Sequence, residues 1–263
     1  MGLRTEDSRD PGVLKNLLDD LYKQFNNREF ISNDPVQFPH SYSFGLDREI
    51  AAFLAAAIAW GRRDLILKNA EKMFSLMGPS PYGFVMNGDY RKLKESCIHR
   101  TFFEKDLRYF CRGFRACYTI YGSLEALFAS AATPWEGIGL FRETMAGGNG
   151  STAKQSLYTK HIANPASNSA CKRLHLALRW LVRREGPVDL GLWKSLSPAS
   201  LSVPLDLHVG RSARLLGLLE STRKANDRKS VVFLTEKLKA LCPEDPIKYD
   251  LALFGYSLRL PKV

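Results

Sequence analysis

The chain has 263 residues, 45% of them hydrophobic, enough for one large domain or two lobes sharing a cleft. Lys and Arg outnumber Asp and Glu by 38 to 27, a net charge of +11 that points to a polyanionic partner, nucleic acid first, rather than an acidic one. Met1 to Pro11 are charged rather than apolar, and no run of about 18 apolar residues occurs, so secretion and membrane spanning are not expected and a cytoplasmic location is. Cys97, Cys111, Cys117, Cys171 and Cys242 form no C-x-x-C pair and no histidines cluster beside them, which predicts reduced, mostly buried thiols and no resident metal.

In chain order, Val13, Leu14, Leu17, Leu18, Leu21, Tyr22 and Phe25 recur at helical spacing and predict an amphipathic helix. A polar loop over 32–43 with Pro35 and Pro39 leads to an Ala-rich stretch, 47–60, read as a buried central helix stopped by Gly61. The short basic turn Gly61, Arg62, Arg63, Asp64 precedes a helix over 65–77. A second strongly amphipathic helix is predicted over 105–121 and a shorter one over 136–145.

Residues 146–151 carry the strongest loop composition and are the expected boundary between a lobe of residues 1–150 and one of residues 151–263, unless the chain forms one compact domain. Helices over 170–183, 207–218, 229–241 and 245–258 complete the reading. No β-alternation of useful length appears, so the expected architecture is all-α. Trp180 and Trp193 read as core, and His99, Arg100, Thr101, Phe102 and Phe103 could combine phosphate contact with stacking, although aromatics at this density usually belong to a core.

The most specific stretch begins Pro204, Leu205, Asp206, Leu207, His208, Val209, Gly210, Arg211 and continues to Arg214, Leu216 and Gly217. An Asp just before an apolar-periodic run is a good helix N-cap, and a carboxylate held there can stabilise a sugar oxocarbenium ion or take up a proton. It is equally what a purely structural cap looks like. Upstream, the polar turn Ser167, Asn168, Ser169 opens a helix at Lys172 and Arg173. Hydroxyl and amide side chains there can cap the helix while leaving N–H groups for a phosphate.

The segment around Asp206 resembles the D-T-H-V-x-R stretch of the helix-hairpin-helix DNA glycosylases, with Leu207 standing where Thr is usual. The resemblance covers roughly the last 100 residues. It implies a two-lobed helical bundle with a central cleft, and it nominates Asp206 as the catalytic carboxylate. In bifunctional members a lysine opening the helix after the hairpin attacks the sugar and forms a Schiff base; Lys172 occupies such a place, 34 positions before Asp206, an interval similar to that of archaeal 8-oxoguanine glycosylases. A lysine is nucleophilic only as the free amine, a form that burial and the neighbouring Arg173 favour. The alternative is a solvated, phosphate-binding lysine.

Two departures stand out. The usual glycine-rich hairpin is replaced by Asn164, Pro165, Ala166, Ser167, Asn168 and Ser169, so the phosphate clamp is altered, and the cysteine-rich iron–sulfur tail of some relatives is missing. Arg62 and Arg63 hold a turn from which related enzymes reach the base stack, and they are expected DNA contacts or surface charges. Through most of its length the chain also resembles an uncharacterised bacterial family, by Trp60 to Arg63, Asp106 to Tyr109, Cys171 to Leu174 with Arg179 and Trp180, and the Asp206 motif.

The expectation is therefore a monomeric base-excision glycosylase, with or without lyase activity, acting on a damaged purine in double-stranded DNA without a cofactor. Asp206 and Lys172 would be catalytic; Arg62, Arg63, Ser167, Asn168, Ser169, Arg173, His208 and Arg211 would contact DNA; Lys248 and Asp250 are weaker candidates. A DNA-binding protein without catalysis, or a helical scaffold for another ligand, are the alternatives.

Overall fold

The computed structural model describes residues 10–150, 158–222 and 226–261, and among these it is mostly helical, with thirteen α-helices and one two-stranded hairpin. Helix α1 (Pro11–Phe25) starts at Asp10, whose carboxylate accepts from the Gly12 and Val13 amides, and it buries Leu14, Leu18, Leu21 and Tyr22 as the periodicity requires. Two short helices, α2 (Arg28–Ser32) and α3 (Gln37–His40), occupy the stretch read as loop.

Helix α4 (Gly45–Ala57) is the axis of the fold, with ten of its 13 residues buried. Its alanines bring neighbouring backbones close, and it packs against α3, α6 (Pro81–Asn87) and α10 (Lys172–Val182). Two carboxylates on it are buried because each is bonded. Asp47 accepts from Ser80 Oγ at 2.9 Å and the Tyr82 amide at 2.7 Å. Glu49 accepts from Trp193 Nε1 at 2.7 Å, Tyr118 Oη at 3.1 Å, and the Leu124 and Glu125 amides at 3.0 and 3.2 Å. These bonds offset a desolvation cost that would otherwise be several kcal/mol. Around Phe53 the rings of Phe114, Phe128, Phe141 and Trp193 complete the centre.

Helix α5 (Arg63–Met77) lies beside the hairpin of β1 (Cys97–His99) and β2 (Phe102–Phe103), which leads into α7 (Glu104–Tyr121). α8 (Leu124–Ala129) and α9 (Pro134–Gly147) follow, each started by a hydroxyl cap, Ser123 and Thr133. The last three helices are α11 (Leu207–Leu215), α12 (Arg228–Leu241) and α13 (Tyr249–Leu258), and α13 packs against both α1 and α11.

The expected helices are present, with bounds that shift for local reasons. The central helix ends at Ala57 rather than 60 because Trp60 N–H turns back to the Ile58 carbonyl at 2.8 Å and Gly61 takes φ 101°. The helix expected over 207–218 stops at Leu215, before Gly217 at φ 72°. That over 245–258 begins as a 3₁₀ turn, Pro246–Lys248. Within 146–151 the chain is helical to Gly147, and Ser151 lies outside the described residues. One contiguous apolar core takes in residues from both sides of that segment, from Leu14 to Leu253. No helix among the described residues is long and apolar enough to cross a membrane.

Candidate functional site

A cleft of about 1140 Å³ opens where the N-termini of α10 and α11 meet the end of α4 and one flank of α13. Asp206 is the N-cap of α11, its Oδ1 accepting from the Val209 amide at 2.9 Å, while Asn226 Nδ2 holds its carbonyl at 3.1 Å. The cap thus arises from the local pattern read in the sequence, and it leaves Oδ2 turned toward α10. There Lys172 Nζ lies 3.6 Å from Asp206 Oδ2, the two side chains being 25% and 28% exposed, so the pair is neither walled off nor fully solvated.

Lys172 is the first residue of α10 and follows Cys171, whose φ of 46° puts a non-glycine residue in the left-handed region. Among the described residues only Arg100 and Asn168 share that conformation. Each such residue costs on the order of 1–2 kcal/mol, so the entry to α10 is held by its surroundings. Part of that hold is cationic: Arg173 Nη1 donates to the Ala57 carbonyl at 2.7 Å and Lys172 Nζ to the Ala59 carbonyl at 3.4 Å, at the electronegative end of α4.

Behind the pair runs a buried ion ladder. Asp250 on α13 bonds Arg179, Arg179 Nε reaches Asp189 at 3.2 Å, and Arg183 bonds both Asp189 and, at 2.8 Å, Asp245. Asp250 lines the cleft, and burial pushes its carboxyl up to about 6 against the pull of Arg179, with the charge of Asp206 adding to the rise. Lys248, by contrast, pairs with Asp19 at 2.8 Å and does not line the cleft.

Part of the lining is aromatic. Phe30, Trp60 and Phe254 form this part, and Arg63 folds inward over Phe254 at 4.9 Å toward Asp34 at 3.7 Å. Asp34 is itself raised from the usual carboxylate range by burial, despite Arg63. Trp60 is fixed by its carbonyl's bond to His99 Nε2 at 2.9 Å and by Arg100 stacked at 5.0 Å, while its buried indole N–H has no hydrogen-bond partner among the described residues.

Of the residues singled out from sequence, Arg63, Ser169, Lys172, Arg173, Asp206, His208 and Asp250 converge on this cleft. Arg62 does not line it; its exposed guanidinium is clasped by Asp64 at 2.7 and 3.1 Å. Ser167 and Asn168 are exposed outside it, and Asn168 Nδ2 bonds Asp227 at 3.1 Å. Arg211 points away, to the Pro261 carbonyl at 2.8 Å. Sequence reasoning missed Phe30, Asp34, Lys160, His161 and Phe254 as cleft residues, since none stands in a motif or at a helix start.

Fold and site together define a mostly helical protein whose cleft is lined by a lysine–aspartate pair and by aromatic rings. The chain belongs to the protein family of unknown function DUF2400, whose model matches residues 34–259, a description that names no activity. No curated protein and no solved structure matches the chain.

Proposed function

We propose that the protein is a DNA base-excision glycosylase with lyase chemistry, built on the two-lobed helix-hairpin-helix plan and acting on a damaged, oxidised purine everted from duplex DNA. The observation that carries this reading is the 3.6 Å approach of Lys172 to Asp206, two side chains 34 positions apart, at the mouth of a cleft of about 1140 Å³. The free amine of Lys172 attacks C1′ of the sugar. The C1′–N bond then breaks with its electron pair on the departing base, which takes up a proton. Asp206 balances the developing oxocarbenium charge and accepts the proton lost from the amine. Opening of the sugar ring leaves an imine to Lys172.

The rings of Phe30, Trp60 and Phe254 support the reading because they line the cleft and an everted base needs ring faces to stack on. Incubation with duplexes carrying oxidised purines in the presence of borohydride tests it. The expected outcome is a covalent protein–DNA adduct abolished by Lys172→Ala, with base release reduced at least about 100-fold by Asp206→Asn. Absence of both adduct and base loss on such lesions refutes it.

One observation favours a second reading, DNA binding without catalysis: the cap bond to Val209 accounts for Asp206 as a purely structural residue. Salt-sensitive duplex binding that survives both substitutions, with no base release by the parent protein, selects that reading.

A further inference from the structure

The turn expected to enter a base stack is engaged elsewhere, since Arg62 is held by Asp64 and Arg63 folds inward over Phe254. A different side chain stands free at the cleft mouth. Leu207, the residue after Asp206, is 79% exposed, the highest value among the large hydrophobic residues described. The buried positions of α11 are Val209, Gly210, Ser212 and Ala213, so Leu207 lies off the face that anchors the helix. Leu258 of α13, 59% exposed, borders the same cleft.

An exposed leucine alone is ordinary. Three features set this one apart. It lines the cleft beside the lysine–aspartate pair. Its backbone is pinned on both sides, by the Asp206 cap bond to Val209 at 2.9 Å and by Asn226 on the Asp206 carbonyl at 3.1 Å, so the side chain projects from a fixed base. The cleft lining carries Arg63, Lys160, Lys172, Arg173 and Arg179 against Asp34, Asp206 and Asp250, an excess of basic side chains that suits a polyanion.

We propose that Leu207 is the wedge of this protein: it enters the base stack of duplex DNA beside the everted nucleotide and fills the gap. The proposal rests on the base-excision reading and assigns it a preference for paired DNA. Apolar side chains inserted at a base step offset lost stacking, and a leucine presented beside the attacking amine would occupy the space nearest the displaced sugar. In a lesion that is already unpaired there is little to hold open, so the leucine matters less there.

The test compares the parent protein with Leu207→Ala and Leu207→Phe on one lesion placed either in a fully paired duplex or in an unpaired bubble. A 2-aminopurine next to the lesion reports unstacking by its fluorescence, independently of base release. Leu207→Ala is expected to slow base release at least ten-fold more on the paired substrate than on the bubble and to abolish the fluorescence rise, while Leu207→Phe keeps both and neither shifts the melting temperature. Equal losses on the two substrates, or an undiminished fluorescence rise in Leu207→Ala, overturn the wedge. A parent protein that raises the fluorescence but releases no base sinks the excision chemistry and leaves the wedge standing. One that does neither sinks both.

Discussion

His175, on the buried face of α10, has both ring nitrogens inside the protein and no hydrogen-bond partner for either among the described residues. Burial pushes its pKa down to about 3, with the charge of Arg228 adding to the fall. Between that value and the unfolded value of about 6.5 the unfolded chain binds the extra proton. Its contribution to stability is therefore complete above about pH 6.5 and lost as pH falls, at up to about 1.4 kcal/mol per pH unit. Asp250 runs the other way, being raised to about 6 by burial: its contribution is complete below an unfolded pKa of about 3.9 and lost as pH rises toward 6. The prediction for His175→Phe is a stability difference from the parent that shifts in favour of the variant as unfolding is measured from pH 7 down to pH 4. A difference independent of pH would show that the buried histidine is not neutral.

Residues were legible in the sequence where their chemistry and their local structure coincide. Asp206 was such a case, since the residue type, its place before an apolar run and the bond to Val209 all express one helix start. Lys172 was legible by position relative to Asp206. Asp34 and Phe254 were not, because their meaning comes from burial against Arg63, distant along the chain, and Asp250 was only a weaker candidate because its partner Arg179 is equally distant. Arg173 shows the converse: read as a phosphate contact, it places its guanidinium on the Ala57 carbonyl.

At the level of elements, the contact between α7 and α9 depends on a helical glycine. A Cβ built at Gly113 would lie 2.5 Å from Met145 Sδ and 2.9 Å from Met145 Cα, the second atom being backbone that cannot rotate away. Gly113→Val should therefore destabilise the protein by about 1–3 kcal/mol, read as a lower denaturant midpoint with an unchanged slope. An unchanged midpoint would mean that the two helices do not approach this closely. Long helices were readable because a 3.6-residue period persists over several turns, as in the 18 residues of α7. The six residues of α8 and the β1–β2 hairpin are too short to show a period, and they are fixed instead by Ser123 capping and by burial of Ile98 and Phe102.

For the whole molecule the governing quantity is charge. With a net charge of +11 and an excess of basic side chains lining the cleft, the proposed duplex binding should weaken steeply with salt, log K falling against log salt by about 0.9 for each phosphate neutralised. Lys160 is exposed on the cleft lining, and Lys160→Ala should make that slope shallower by about 1. Fluorescence anisotropy titrations from 50 to 200 mM salt measure both, and salt-independent binding would exclude phosphate contacts as the source of affinity.

The first helix lies wholly before the stretch by which the family is recognised, which begins at residue 34. Yet Leu18 and Leu21 are sealed inside the core, and Asp19 reaches both Lys248 and Tyr249 at the start of α13, the helix whose next residue is Asp250. A recombinant fragment cut to the recognised stretch would bare the apolar flank of the last helix and unfasten the scaffold behind the cleft. The packed core thus reaches further upstream than the region that betrays kinship.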